Sequence, residues 1–216
     1  MKKIAVLIPV FVLALFYFKE RYHSEYATAG LRGKASLAVG VLGMFLVMVI
    51  GVYKKKQEGF FQAFIQASFL VYVFMVLTLT GYFVLFREVA AQGWWQHVLH
   101  RIHMKERINL RPFMMFKQFR WTSTQVLGNF VMLLPLGIFI PLLFPRLSGL
   151  FRVVFICLLV SVSIELMQLI TSYRSTDIDD VILNTSGALI GYLIYKLMST
   201  MIRKTGNGEY PELISK

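Results

Sequence analysis

Cysteine, charge and acidic residues are all scarce in this chain. Its 216 residues include one cysteine, Cys157, so disulfides, zinc fingers and CxxC redox chemistry are excluded within a single chain. Charged residues make up 16% of the sequence, against about 25% in soluble domains. Apolar residues make up 57%. This composition argues against a soluble globular domain and for a membrane protein.

The signatures of several large enzyme classes are also missing. No HExxH, GxSxG, P-loop or GxGxxG motif stands in a credible context. The last two apolar segments contain no histidine, which disfavours a histidine-dependent phosphatase. His97, His100 and His103 repeat every third residue, so on a helix they spread around the surface and do not converge on a metal ion. We therefore predict no metal site and no cofactor.

Long apolar segments dominate what is present. Most approach or exceed the roughly 20 residues needed to cross a hydrocarbon core. The first is short and follows Lys2 and Lys3, but no small-x-small cleavage site comes after it, which indicates an uncleaved anchor. We predict an all-α fold, a polytopic integral membrane helical bundle with about six transmembrane helices. The predicted spans are residues 4–18, 35–53, 60–86, 124–145, 153–172 and 179–200.

The loop between the third and fourth predicted spans has a pattern of its own. Its apolar residues recur at helical spacing with basic residues and histidines between them, which predicts an interfacial amphipathic helix lying on the membrane. These apolar residues are Trp95, Val98, Leu99 and Ile102. Further on, Pro112 lacks an N–H and biases Arg111 away from helix, so we expect a turn before the fourth span.

These elements predict four segments. They are an N-terminal three-helix membrane segment at 1–87, the interfacial helix and loop at 88–123, a three-helix membrane core at 124–204 and a short polar tail at 205–216.

The net charge of +12 is explained by basic residues that flank the spans and meet anionic lipid headgroups, rather than by nucleic acid. The hairpin at 54–58 is strongly basic, whereas 173–178 holds one arginine, which favours cytoplasmic termini.

Two polar stripes run along the last two predicted spans. Side chains three and four positions apart stack on one side of a helix. The first stripe is Ser161, Glu165, Gln168 and Ser172, and the second is Asp177, Asp180, Asn184, Gly187 and Gly191. A carboxylate at bilayer depth costs a few kcal/mol or more, so it normally faces other helices, water or a ligand. The stripes therefore predict an intramembrane polar site.

Glu165 admits two interpretations. It is the only charged residue between Arg152 and Arg174, and Arg174 or Arg111 could pair with it in a bidentate contact. Such a pair could fix the register of the helices without any chemistry. Alternatively, the arginines could hold an anionic group while Glu165 moves a proton.

The second stripe also has structural explanations. Thr176 or Asp177 could cap the sixth span, because acidic residues favour the positive end of a helix dipole. Asp180, with Asn184 one turn deeper, fits a polar site better than a cap. Gly187 and Gly191 form a small-xxx-small pair, which predicts close packing of the sixth span against the fourth or fifth.

The fourth span contributes two further residues. Asn129 could donate a hydrogen bond across a helix interface or point into the site. Pro135 predicts a kink that frees a backbone carbonyl and could widen a cavity.

Residues 109–196 resemble the VanZ family of bacterial membrane proteins. The matching pieces, in order, are NLRPF at 109–113, GNFVMLLPLGIFIPLL at 128–143, SIELMQ at 163–168 and YRSTDIDDVILNTSGALIGY at 173–192. The order and spacing carry the resemblance, and residues 1–86 lie largely outside it. Carried over by position, the characteristic polar residues are Asn109, Arg111, Asn129, Glu165, Gln168, Arg174, Asp177, Asp180 and Asn184.

The resemblance implies a role in cell-envelope protection, because the family is named for a member that raises resistance to the lipoglycopeptide antibiotic teicoplanin. We expect a multi-pass protein of the bacterial cytoplasmic membrane. One hypothesis is modification of a lipid-linked cell-wall precursor, with Glu165, Asp180 and Asp177 as catalytic candidates and the other polar residues binding substrate. The alternative is non-catalytic binding of an envelope lipid or of the antibiotic.

Overall fold

The structure, a computed structural model, describes residues 2–21, 30–54, 60–104, 107–115, 120, 122–171 and 175–205. The chain forms two compact units. The first comprises Met1–Glu106 with Met167–Arg174, and the second comprises Arg107–Leu166 with Ser175–Lys216. The helix predicted in the long loop thus belongs to the first unit, and the second unit begins at Arg107.

The all-α membrane fold is confirmed. Among the described residues, five helices are long and apolar enough to cross a bilayer: Leu31–Tyr53, Phe60–Thr80, Thr124–Leu143, Leu150–Leu169 and Ile178–Ile202. The first predicted span is not among them. It lies in α1 (Lys2–Arg21), whose uncharged stretch of 15 residues is about 22 Å long, shorter than a hydrocarbon core of about 30 Å.

The first unit is a bundle of helices around an aliphatic and aromatic core. After α1 come α2 (Leu31–Lys54), α3 (Phe60–Thr80), α4 (Tyr82–Val89) and α5 (Trp94–Met104). Its buried core residues are Val6, Val10, Ala14, Met44, Met48, Val52, Leu70, Phe74 and Phe83. The apolar faces of α1 and α3, and of α2 and α4, account for most of this packing.

One predicted boundary in this unit was wrong. We expected a single span over 60–86, but α3 ends at Thr80 and α4 begins two residues later. Gly81 stands between them at φ 86°, in the left-handed region where glycine pays no Cβ penalty and helices commonly end. The helix predicted in the long loop is present as α5.

The second unit contains the last three predicted spans and a short parallel bridge. Its elements are β1 (Ile108–Asn109), α6 (Thr124–Met132), α7 (Leu134–Leu143), a 3₁₀ turn (Pro145–Leu147), α8 (Leu150–Leu169, to residue 166 in this unit), β2 (Thr176–Asp177) and α9 (Ile178–Thr205). In the bridge, Ile108 is the partner of Thr176 and Asn109 that of Asp177.

The fourth predicted span is broken as Pro135 predicted. Helix α6 begins after Ser123, whose side chain accepts a hydrogen bond from the N–H of Val126. It ends at Met132, and α7 starts at Leu134 with Pro135 in its first turn. Proline has no N–H to donate to the carbonyl of the residue four positions before it, so the helix is interrupted beside it.

Helix α9 packs against α6 and α7 with their backbones nearly touching. A Cβ at Gly187 would overlap the carbonyl oxygen of Phe130, and one at Gly191 would overlap that of Leu134. Gly137 faces α9 in the same way, against the backbone of Ala188. The small-xxx-small pair therefore packs against the fourth span, one of the two partners predicted.

We expect Gly187→Ala and Gly191→Ala each to destabilise the protein by about 1–3 kcal/mol, because the added methyl group meets a backbone carbonyl that cannot move aside. Thermal unfolding of the full chain in detergent measures this. Gly128→Ala is the matched control, since a Cβ there meets nothing within 4 Å. An unchanged melting temperature for both interface variants would contradict this packing.

Candidate functional site

Four carboxylates gather where β2 leads into α9. Asp177 ends β2, and its Oδ1 accepts the N–H of Asp179 at 2.9 Å, as the capping side chain of α9. Its Oδ2 accepts a hydrogen bond from Asn109 Nδ2 at 3.0 Å. The capping interpretation of Asp177 is confirmed. The same carboxylate also joins the start of α9 to β1.

Asp179, which the sequence analysis did not single out, is fully buried. Its Oδ1 accepts the N–H of Phe113 at 2.5 Å and its Oδ2 accepts the N–H of Met115 at 2.7 Å. Phe113 has a φ of 65°, uncommon for a residue with a side chain, so these hydrogen bonds hold a strained turn. Asp179 lies off the polar stripe, which is why helical spacing missed it.

Glu165 and Asp180 bind to different elements of the second unit. Glu165 is buried on α8, and its Oε2 accepts the N–H of Asp177 at 2.9 Å. Asp180, also buried, accepts a hydrogen bond on Oδ1 from Asn129 Nδ2. Asn129 thus bonds across the interface of α6 and α9, which was one of its two predicted roles.

The two predicted stripes meet one turn further into α9. Asn184 is fully buried and donates through Nδ2 to Ser161 Oγ at 3.0 Å. The Oδ1 of Asn184 has no hydrogen-bond partner among the residues that the structure describes. A hydrogen bond from the N–H of Asp177 to Glu165 and one from Asn184 to Ser161 therefore connect α8 with β2 and α9.

Arg111, Gln168 and Arg174 were also predicted as site residues. Arg111 is exposed, and its N–H donates to Asn109 Oδ1 at 3.2 Å. Gln168 is buried in the first unit, where its backbone carbonyl accepts a hydrogen bond from Arg101. Arg174, together with Ser172, falls outside the described residues.

This arrangement fixes the segment that precedes the fourth span. Asp177 and Asp179 both accept from residues 109–115, through one side-chain amide and two backbone N–H groups. Hydrogen bonds to charged acceptors are roughly twice as strong as those between neutral groups, and they strengthen further in a low dielectric. The acidic start of α9 can thus hold this turn, with the exposed Arg111 upon it.

Residues 69–199 match the family described as VanZ/LLP1, over more than half of the chain. The chain belongs to the VanZ/LLP1 family. The match starts inside α3, forty residues before Asn109. The family region therefore includes most of α3, with α4 and α5, which lie outside the resemblance at residues 109–196.

The chain is also similar to a curated protein. The chain is 32% identical over 90 residues to Protein VanZ of Enterococcus faecium, which is 42% of this chain and 53% of that protein. The chain thus spans about half the length of the curated relative it matches. No solved structure matches the chain.

We expect Asp179→Asn to loosen the turn at residues 110–115, because the new amide group faces one of the two N–H donors that the carboxylate accepts. The loss of one charge-assisted hydrogen bond should speed amide exchange there by roughly tenfold or more. Hydrogen exchange followed by mass spectrometry measures it. Glu20→Gln, at an exposed carboxylate, should leave that segment unchanged. Equal protection in Asp179→Asn and the wild type would contradict the role of Asp179.

Proposed function

We propose that this protein lowers susceptibility to teicoplanin-type lipoglycopeptide antibiotics from within the bacterial cell membrane. In this proposal it binds the anionic group of a lipid-linked envelope component and does not transform it. Membership of the VanZ/LLP1 family supports the general role, as do the five helices able to cross a bilayer in the part of the chain that the structure describes. The mechanism rests on the site in the second unit.

The observation that carries the proposal is an exposed arginine on an anchored turn. Arg111 lies between Asn109, which bonds Asp177, and Phe113, which bonds Asp179. A guanidinium group recognises phosphate or carboxylate through two parallel N–H···O bonds. Because the turn is already held in place, less conformational entropy is lost when an anion binds.

The carboxylates support binding better than catalysis. A general acid or base must come within hydrogen-bond reach of the substrate. Asp177 and Asp179 each use both oxygens on donors of the chain itself, and Glu165 and Asp180 also accept hydrogen bonds from the chain. These carboxylates cap α9, hold the turn at residues 110–115 and join α9 to α6 and α8.

Modification of the lipid-linked component is the second candidate. Glu165 and Asp180 are buried at the membrane-spanning helices, and a carboxylate there is commonly retained for function because its burial is costly. In this reaction one of the two carboxylates would transfer a proton to or from the lipid-linked component. This reaction would require the ionisable groups themselves, which gives a clear test.

We expect expression of the wild type to lower teicoplanin susceptibility in a sensitive host, and Arg111→Gln to abolish most of that protection because the charge and the guanidinium fork are lost. Arg146→Gln is the matched control, since Arg146 is exposed in the same unit at the turn between α7 and α8. The measurement is the minimal inhibitory concentration at equal membrane levels of each protein. No protection by the wild type, or full protection by Arg111→Gln, would overturn the proposal.

Near-isosteric changes separate binding from catalysis. Glu165→Gln still offers an oxygen to the N–H of Asp177, and Asp180→Asn still offers one to Asn129. We therefore expect both variants to keep protection and the lipid extracts of protected cells to show no new species. Loss of protection in both stably folded variants, with a changed lipid species in wild-type cells, would favour the enzyme instead.

A further inference from the structure

A cavity of about 360 Å³ lies in the first unit beside α5. One side is formed by α4 and α5, including Glu88, Trp94, His97, His100 and Arg101. Residues 169–171, at the end of α8, form the other side. The volume falls in the range of about 300–1,000 Å³ typical of small-ligand sites. None of these residues was assigned to the site in the second unit.

The wall of this cavity is held by strong hydrogen bonds. Arg101 is buried, at 7% exposure, and its Nη1 donates to the carbonyls of Gln168, Leu169 and Thr171. Trp94 donates through Nε1 to the carbonyl of Ile170 at 3.0 Å. These carbonyls lie at the negative end of a helix dipole, where a cation is favoured. The cavity is thus a preformed feature of the fold.

Cationic and proton-donating groups outnumber acidic ones on its lining. Arg101 carries a permanent positive charge, and His97 and His100 each present a ring N–H in either protonation state. Glu88 is the one acidic residue among the lining residues that the structure describes. Phosphate is the common biological group that such donors recognise.

Helix α5 also indicates where this phosphate would come from. Its opposite face carries Trp95, Leu99 and Ile102, which are 53%, 50% and 44% exposed. An amphipathic helix of this kind buries its apolar face at the boundary between headgroups and acyl chains. A cavity on its other face would then lie at the level of the lipid headgroups.

We propose that this cavity binds the headgroup phosphate of an anionic phospholipid, with His97, His100 and Arg101 as donors. This site is separate from the function proposed above and uses none of its residues. Its occupant is a bulk membrane lipid rather than a cell-wall precursor. Arg101 also caps α8, so the histidines are the residues that distinguish ligand binding from a purely structural role.

The test is a titration of the full chain in detergent with phosphatidylglycerol, phosphatidylcholine or inorganic phosphate, followed by native mass spectrometry. We expect phosphatidylglycerol to bind roughly tenfold more tightly than phosphatidylcholine. His97→Ala combined with His100→Ala should weaken phosphatidylglycerol binding roughly tenfold. His103→Ala is the matched control, because His103 is exposed on the same helix and does not line the cavity.

A variant that should bind phosphatidylglycerol more tightly provides an independent check. Glu88→Gln removes the acidic charge from the lining and should tighten phosphatidylglycerol binding roughly threefold. Equal binding of the two lipids, or unchanged binding in both the histidine and the Glu88 variants, would overturn the proposal. Displacement of the lipid by equimolar inorganic phosphate would assign the cavity to a free anion and overturn the lipid as its ligand.

Discussion

The cost of burying carboxylates beside membrane-spanning helices shapes the second unit. Glu165, Asp179 and Asp180 are all buried, and each accepts hydrogen bonds from elements distant in sequence. An unpaired carboxylate in such a medium would cost several kcal/mol or shift to its neutral form. Three features of the fold bring hydrogen-bond donors to these acids: the short strand β1, the turn at 110–115 and the break before α9.

Close backbone approach makes this polar arrangement compact. Because Gly187 and Gly191 carry no Cβ, α9 lies directly against the carbonyls of α6 and α7. The same approach brings Asn129 within reach of Asp180, since an amide side chain is short. In a bilayer, where helices gain little from the hydrophobic effect, such packing and interhelical hydrogen bonds are the principal attractions. The glycines and the polar residues therefore act together.

The structure changes how the acidic residues are understood. Helical spacing grouped Asp177 and Asp180 as one stripe, but Asp177 belongs to β2 and caps the helix that Asp180 occupies. Asp179, which accepts two backbone N–H groups, lies off that stripe. A chain with four acids in this region can thus use them mainly to build a surface that presents Arg111. That division of work is the reason why we propose recognition rather than proton transfer.

The sequence alone determined the fold class and the family. It also determined the amphipathic helix, the interruption of the fourth span at Pro135, and the bounds of four membrane-spanning helices to within a few residues. Each follows from composition, periodicity or a local motif, which act over a few neighbouring residues. It did not determine the break at Gly81, the bridge of β1 with β2 or the role of Asp179. The bridge and the role of Asp179 depend on contacts between segments far apart in the chain, such as Phe113 with Asp179, which are 66 residues apart. Only the tertiary structure selects such partners, because many donors could satisfy a buried acid and the packed helices bring a few within reach.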